Sequence, residues 1–442
     1  MRRQTDFRER TKEMPTVCII ILLSIFAAIV LGFVTKINVG WFSIAFAFIL
    51  GCFLAGLSVG KVTDLWPTKL FFQLLSVTFF FAFAVNNGTL ELIARKALYL
   101  TRKRPFLVPI VMWIIGFVLA GIGPGSVAMM LILSPVVQRL ADECDMDPAL
   151  ACISMITGIN SGAWSPIAVN GITTKGLMEA SGYSAQDAAE YTVGVWGNMI
   201  VVSIIMFLIF YVVFRGWRCR ASRLAGKPEP FNKNQKVNVT LILVMLLLVL
   251  VPYFISGVTV NAAVSAFATK LDITYLSVVF AIIAMFLKLG DEKQAIAAVP
   301  WKMIITICGV GMLVAVASEA GTMAYLSEYI GRSFSPAVLP FVMALISGVM
   351  SLFSSTMGVV IPTLYPLIYA ICTASGASPL MLFSVVPIAS GYTGISPFSS
   401  VGGMSMANIR EEKYDSAFIK LLISAFATIA ISLLCIAIGI IR

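Results

Sequence analysis

Long apolar runs separated by short polar segments make up most of the chain. Most runs are about 20 residues long, the length of a helix that crosses the hydrocarbon core of a bilayer. They are continuously apolar and do not alternate every second residue, so they predict spanning helices and not barrel strands. The pattern predicts an all-α polytopic membrane protein, with apolar runs near 15–34, 40–59, 69–86, 105–141, 148–177, 191–214, 237–256, 273–289, 299–318, 336–372, 379–407 and 416–441.

Two of these runs, 105–141 and 336–372, are not simple spans. Each is too long for one helix, too short for two full spans with a loop, and has small residues at its centre. Such a run predicts a re-entrant hairpin, which enters the membrane and returns to the side from which it came.

Two other runs carry the same interruption. The segments AWSPIAVNG (163–171) and GISPFSSVG (394–402) each contain a Ser-Pro pair followed, five positions after the proline, by a glycine. Proline removes a backbone N–H donor and glycine permits unusual dihedral angles. The runs 148–177 and 379–407 therefore predict helices that break inside the membrane.

The hairpins and broken helices repeat at one constant separation of 231 positions along the chain, which we call the repeat offset. The residues that match at this separation are Pro105 and Pro336, Pro109 and Pro340, Pro135 and Pro366, Pro166 and Pro397, and Gly171 and Gly402. Internal duplication is a known transporter architecture, and a copy that crosses the membrane five times is followed by an inverted one. We expect two inverted repeats, 1–214 and 237–442, joined by a linker at 215–236. Each repeat is expected to hold three spans (15–86 and 237–318), a connecting segment (88–104 and 319–335), a hairpin (105–141 and 336–372), a broken helix (148–177 and 379–407) and a last helix (191–214 and 416–441).

Charge sets the expected orientation. The chain is 59% hydrophobic and 12% charged with a net charge of +10, and its Lys and Arg residues concentrate between apolar runs, which argues against nucleic acid binding. The linker has seven basic residues and one acidic residue, so it is expected in the cytoplasm. Because each repeat is expected to cross the membrane an odd number of times, the first hairpin then enters from the cytoplasm and the second from outside. The N-terminus falls outside, although the segment 1–13 carries five basic and three acidic side chains.

The broken helices and hairpin tips are the candidate binding sites. A break leaves backbone groups that only protein, water or a ligand can satisfy in hydrocarbon. Hydroxyls and amides cluster around both breaks and the second tip, and helices that begin deep in the membrane favour an anion there. The spans contain no clear mid-membrane Asp or Glu and the chain has no His, so neutral oxygens favour sodium over a proton relay. Proton coupling through the substrate itself stays open as the alternative.

Other functional classes fit less well. An intramembrane serine hydrolase needs a base beside its serine, and an aspartyl protease needs two buried Asp residues; neither constellation is present. The eight cysteines have no CxxC pairing, so they do not predict a metal site. A passive channel gives no reason for paired hairpins. We expect no enzyme, no cofactor and no metal other than sodium.

The motifs resemble a known family. VAMML (127–131) and SGAWSPIAVNGI (161–172) are similar to the dicarboxylate and malonate carriers among the divalent-anion:sodium symporters of the ion transporter superfamily. That family has a Ser-Asn-Thr signature at both tips, which Ser354-Ser355-Thr356 matches with one substitution and the Gly-Pro-Gly-Ser at 123–126 does not. The resemblance implies a homodimer in which the spans at 15–86 and 237–318 form a scaffold and the segments 88–104 and 319–335 are interfacial arms. Hairpins, broken helices and last helices would then move as an elevator against this scaffold.

The sequence thus predicts a secondary active transporter that imports a small dicarboxylate (malonate, succinate or malate) with sodium across a bacterial inner membrane. The alternatives are the large membrane subunit of a binding-protein-dependent tripartite carrier and an exporter of another anion. The residues expected to bind substrate are Gly125, Ser126, Ser161, Gly162, Ser165, Pro166, Ser355, Thr356, Gly394, Ser396 and Pro397, and those expected to bind sodium are Gly123, Asn160, Asn170, Ser354, Thr393 and Ser399.

Overall fold

The structure, a computed structural model, describes residues 16–99 except 22, 26, 29, 33 and 36, together with 101, 104–123, 125–219, 228–258, 271–322, 335–406 and 409–441. The predicted arm 319–335 lies mostly outside the described residues, as do linker residues 220–227 and Pro124 of the first tip.

The described helices are α1 (Thr16–Gly32), α2 (Val39–Leu54), α3 (Val59–Asp64), α4 (Thr68–Asn86), α5 (Thr89–Tyr99), α6 (Val108–Gly121), α7 (Gly125–Glu143), α8 (Pro148–Ala163), α9 (Val169–Ala180), α10 (Ala185–Val213), α11 (Lys233–Val258), α12 (Ile273–Phe286), α13 (Glu292–Ala298), α14 (Trp301–Glu319), α15 (Leu339–Phe353), α16 (Thr356–Ser375), α17 (Pro379–Thr393), α18 (Ser400–Met406) and α19 (Glu411–Ala437).

The predicted all-helical membrane fold is confirmed. Within the described residues, five helical segments have the length and apolar composition needed to cross a bilayer. Shorter apolar helices, among them the first limbs of both hairpins and the first halves of both broken helices, fill the space between them. The long segments are Val59–Asn86, Ala185–Val213, Trp301–Glu319, Thr356–Ser375 and Glu411–Ala437.

The repeat offset extends from single prolines to helix boundaries. Helices α6, α7, α8 and α9 begin one repeat offset before α15, α16, α17 and α18. The second limb of each hairpin contains the matching internal proline, Pro135 or Pro366. The chain turns between α6 and α7 and between α15 and α16, and both broken helices are interrupted at the Ser-Pro pair.

A second separation, which the sequence analysis missed, relates the helices before the hairpins. Helices α4 and α14 are both 19 residues long, and each follows a proline, Pro67 or Pro300. Each ends at a glycine in the left-handed region, Gly88 with φ 72° and Gly321 with φ 79°. Both pairs are two positions further apart than the repeat offset, so the segment from Gly321 to the second hairpin is two residues shorter than the segment from Gly88 to the first. A search for one ungapped offset cannot find both registers.

Helices α2, α3, α4, α12, α13 and α14 pack together and are called the scaffold body. At one end of this body, Thr306 of α14 donates to the Asn38 side chain at the start of α2 (2.6 Å). At the other end, Lys61 pairs with Glu319 at the end of α14 (3.0 Å). Helices α2 and α14 therefore run parallel, and the glycine-lined contact between them brings their backbones together.

Helices α6–α10 and α15–α19 pack together and are called the hairpin body. Asn198 of α10 donates to Ser384 of α17 (2.9 Å), and the Tyr392 hydroxyl of α17 donates to the Met199 carbonyl of α10 (2.7 Å). Where α10 ends and α19 begins, Arg410 and Lys413 pair with Asp142. We call this end of the molecule, which includes Gly216–Arg218, the linker side.

Candidate functional site

The two Ser-Pro breaks have the same local geometry. The Ser165 hydroxyl accepts from the backbone N–H of Ile167 (3.4 Å), and the Ser396 hydroxyl accepts from that of Phe398 (3.3 Å). Both hydroxyls therefore cap a turn that the prolines keep from continuing as α-helix. The turn occupies 164–168 at the first break and 394–399 at the second, and the other half-helix begins directly after it.

The glycine that follows each proline is required by a close backbone approach. A Cβ placed on Gly171 would lie 2.1 Å from the Ser165 carbonyl oxygen, and a Cβ on Gly402 would lie 2.0 Å from the Ser396 carbonyl oxygen. The second half-helix thus rests on the carbonyl of the Ser-Pro turn. This contact explains why serine, proline and glycine recur together.

The first hairpin tip lies against the scaffold body. Gly123 has φ 147°, and a Cβ there would lie 2.1 Å from the Phe81 ring of α4. The Gly123 carbonyl accepts from the backbone N–H of Val169 (3.3 Å), which joins the tip to the start of α9. Gly125 has φ 81° and faces Val169 as well. The glycines of this tip permit a turn that brings the starts of α7 and α9 together.

A cavity of about 350 Å³ opens beside this tip, between the hairpin body and the scaffold body. Its polar groups are the side chains of Ser126 and Asn170, both buried, and of Thr78. The Asn170 amide donates to the Ser126 hydroxyl (3.4 Å). The remaining lining is apolar or backbone and consists of Phe81, Ala82, Val85, Gly125, Val127, Ala128, Leu131, Ile132, Val169, Ala297, Ala298, Pro300 and Met303.

The cavity lies towards the linker side. Its scaffold wall is the end of α4 and the start of α14, and the end of α4 is joined to the start of α11 by the Gln235 amide, which donates to the Asn87 carbonyl (3.2 Å). At the opposite end of α4, Lys69 pairs with Glu179 of α9 at 2.7 Å. The two bodies are therefore in contact on one side of the tip and apart on the other.

The second tip is closed over its own broken helix. The Ser351 and Thr356 hydroxyls donate to the Ser390 carbonyl at 2.6 and 3.0 Å. Ser355 caps the start of α16 by accepting from the Gly358 backbone N–H (3.1 Å). These groups satisfy one another, and the cavity beside the first tip does not include them.

Three residues expected to bind sodium lie around the second broken helix and hydrogen bond to backbone carbonyls. Ser354 donates to Met350 (2.6 Å), Thr393 donates to Ala389 (2.6 Å), and Ser399 donates to Gly394. A hydroxyl that donates its hydrogen keeps lone pairs with which it can accept or coordinate. This arrangement leaves neutral oxygens near the break.

Asn160, which is expected to bind sodium, joins two helices of the hairpin body. Its amide donates to the Gly391 carbonyl (2.6 Å), and Gly391 lies one repeat offset, 231 positions, later in the chain. The bond fastens α8 to α17 at the centre of the hairpin body.

Ser161 and Gly162 serve packing in this structure. Ser161 donates to the Gly158 carbonyl (2.9 Å), and its own carbonyl accepts from the Trp196 ring N–H (3.0 Å). A Cβ on Gly162 would lie 2.0 Å from the Phe117 carbonyl oxygen. Helix α8 is therefore held closely between α6 and α10.

The structure brings only part of the expected site together. Gly125, Ser126 and Asn170 line one cavity. The sequence analysis missed the scaffold wall, because its apolar residues on spanning helices carry no local signal of a site. The expected residues outside the cavity lining are Gly123, Asn160, Ser161, Gly162, Ser165, Pro166, Ser354, Ser355, Thr356, Thr393, Gly394, Ser396, Pro397 and Ser399.

Comparisons with known proteins agree with the resemblance found in the motifs. Residues 14–163 match the family model described as "Dicarboxylate carrier protein MatC N-terminus". Among solved structures, the chain is similar to the YdaH transporter of Alcanivorax borkumensis, with a TM-score of 0.55, 13% sequence identity and coverage of 86% of this chain and 87% of that chain. At this identity the likeness shows the fold alone. No curated protein sequence gives a significant match.

Proposed function

Residues 14–163 match the dicarboxylate carrier family, and on that premise we propose that the chain is a secondary active transporter of small dicarboxylates of the malonate, succinate and malate class. The observation that supports this function best is the cavity beside the first hairpin tip. It is large enough for a small acid, lies between two helical bodies, and contains a few polar groups in an otherwise apolar wall.

The anion is expected to bind where α7 and α9 begin. Both helices start at the cavity, at Gly125 and Val169; α9 then leads away from it, whereas α7 continues along the cavity wall as far as Ile132. The first backbone N–H groups of a helix have no partner within the helix and carry partial positive charge. Ser126 and Asn170 would add a hydroxyl and an amide donor, so a carboxylate could be held without a charged side chain.

Sodium coupling is part of the proposal. The second tip and break present neutral hydroxyl and carbonyl oxygens, among them those of Ser354, Thr393 and Ser399. Such oxygens suit an alkali cation at the interrupted helices of a transporter. A sodium ion there would tie the second hairpin to its broken helix.

The transport step is proposed to be an elevator movement of the hairpin body against the scaffold body. The cavity lies on the linker side of the contact between the bodies, and the Lys69–Glu179 pair lies on the other. Moving the hairpin body would open one side as the other closes. We place the protein in the bacterial inner membrane as a homodimer joined through its scaffold.

The test is uptake by proteoliposomes that contain the purified chain alone. A panel of labelled dicarboxylates is presented with and without an inward sodium gradient. We expect uptake of at least one three- or four-carbon dicarboxylate, faster with the gradient, and at least tenfold slower for Asn170→Ala and Ser126→Ala. Gly197→Ala is the matched control, because a Cβ there has no neighbour within 4 Å.

Absence of dicarboxylate uptake under any sodium or proton gradient would refute the function. Uptake that needs an added binding protein would favour the tripartite alternative. Unchanged uptake in both Asn170→Ala and Ser126→Ala would place the substrate away from the cavity.

A further inference from the structure

The cavity beside the first tip has one polar pole, and the rest of its described lining is apolar apart from Thr78 of α4, whose hydroxyl donates to the Leu74 carbonyl (2.7 Å). Ser126 and Asn170 form the pole together with the starts of α7 and α9. Facing this pole are scaffold side chains, of which Phe81 is nearly fully buried and Val85 and Met303 are partly buried. A dicarboxylate that binds with one end at the pole therefore has its other end near hydrocarbon.

None of the described residues that line this cavity carries a charge. Charged residues do occur on every helix around it, but none of them belongs to the lining. Ionisable lining side chains are thus absent on the scaffold side and on the hairpin side alike. The charged residues of α4, α7, α9, α13 and α14 are Lys69, Arg139, Asp142, Glu143, Lys175, Glu179, Glu292, Lys293, Lys302 and Glu319.

This lining discriminates between the two ionic forms of a dicarboxylic acid. An ionised carboxylate that leaves water for an apolar wall loses its hydration without compensation, and buried acids then take up a proton. A protonated carboxyl group costs far less to place there. The pole can compensate one negative charge, and the lining holds no group that compensates a second.

On the basis of the proposed function, we propose that the transported species is the singly charged hydrogen dicarboxylate. Its carboxylate binds at Ser126 and Asn170, and its neutral carboxyl group faces Phe81, Val85 and Met303. The acid takes up one proton in the compartment from which it binds and releases that proton after leaving the cavity. Substrate therefore carries a proton across the membrane, and the lining groups of the cavity need not titrate.

The first test uses the unmodified protein in proteoliposomes at a fixed sodium gradient and fixed total substrate. Above the second pKa of the acid, each unit fall in pH raises the monoanion about tenfold. At a subsaturating concentration, we expect the initial rate of uptake to follow that rise. In saturation curves recorded at different pH values, we expect the rate to saturate at the same monoanion concentration. The monomethyl ester of the same acid, which is singly charged throughout this range, is expected to compete with a pH-independent inhibition constant.

The outcomes separate the inference from the function on which it rests. Uptake that follows the dianion, with no competition by the ester, would overturn the inference while leaving dicarboxylate transport established. If that dianion uptake also rises with sodium, the ion and not a proton neutralises the second carboxylate. If no dicarboxylate is transported at any pH, the proposed function itself fails.

A variant tests the wall directly. Met303→Lys places a cation opposite the pole, and we expect it to lower the apparent affinity for the ester and to flatten the pH dependence of uptake. Met303→Gln has similar length and no charge and should keep the pH dependence of the unmodified protein. Equal pH profiles for both variants, each checked by size-exclusion chromatography, would refute a role of the wall; should the lysine variant fail to fold, the ester experiment decides.

Discussion

Replacing Gly402 with alanine should displace the second half-helix of the second break. A Cβ at this position would lie 2.0 Å from the Ser396 carbonyl oxygen and 2.8 Å from the Ile395 carbonyl oxygen. Real Cβ contacts are essentially never closer than 3.0 Å. The start of α18 must therefore move by about 1 Å, because both obstacles are backbone atoms and no side chain can rotate away.

The neighbouring residue provides a matched control. A Cβ on Gly403 lies 3.5 Å from the Pro397 carbonyl oxygen, which is ordinary contact. Both substitutions gain the preference of alanine over glycine for helix, at most about 1 kcal/mol. Their difference isolates the clash, for which overpacking costs about 1–3 kcal/mol.

The assay combines thermal unfolding of the detergent-purified protein with proteoliposome uptake. Gly402→Ala is expected to unfold at a lower temperature than Gly403→Ala and to transport at least tenfold more slowly, since a misplacement of about 1 Å costs up to about 10²-fold at a working site. Equal unfolding temperatures and equal uptake in the two variants would refute the account of the Ser-Pro-Gly motif.

Three other predictions follow from single contacts. Asn160→Leu leaves the Gly391 carbonyl without its donor. We therefore expect the free energy of unfolding, measured by denaturant titration, to fall by about 0.6–1.7 kcal/mol. No loss of stability would contradict the central role of this bond. Lys69→Glu should slow uptake, because it sets two carboxylates against each other where the bodies touch, whereas Lys69→Arg should keep it; equal uptake in the two variants would show that the pair does not matter. Burial raises the pKa of the Cys219 thiol to about 11. Maleimide labelling of a variant that keeps only this cysteine should therefore accelerate about tenfold per pH unit between pH 7 and 9, because the thiolate is the reactive form. A labelling rate that does not change with pH would contradict this pKa.

The motifs led to the hairpins and the breaks because those features are local. A proline at a fixed place and a glycine five positions later impose the same turn wherever they occur. Ser165 and Ser396 therefore lie at matching turns, and α8 and α17 begin one repeat offset apart. Helix boundaries in the described residues follow the apolar runs to within a few residues for the same reason.

Side-chain roles were harder to predict, because they depend on partners far along the chain. Asn160 is predicted to bind sodium, and in the structure its amide N–H also donates to the Gly391 carbonyl on another helix, which the sequence does not indicate. Thr356 was expected to contact substrate, yet its hydroxyl donates to Ser390. In both cases the residue type fits either role, and only the neighbouring backbone decides between them.

The sequence by itself determined the membrane class, the hairpins, the positions of the breaks and the resemblance to dicarboxylate carriers, since apolar length, proline and glycine act on the adjacent backbone. Tertiary structure alone decided that the first tip borders a cavity and that the second is closed. It also supplied the wall of Phe81, Val85 and Met303 opposite Ser126. These residues come from helices whose apolar pattern is that of any span, and they become a binding surface only because packing places them opposite the start of another helix.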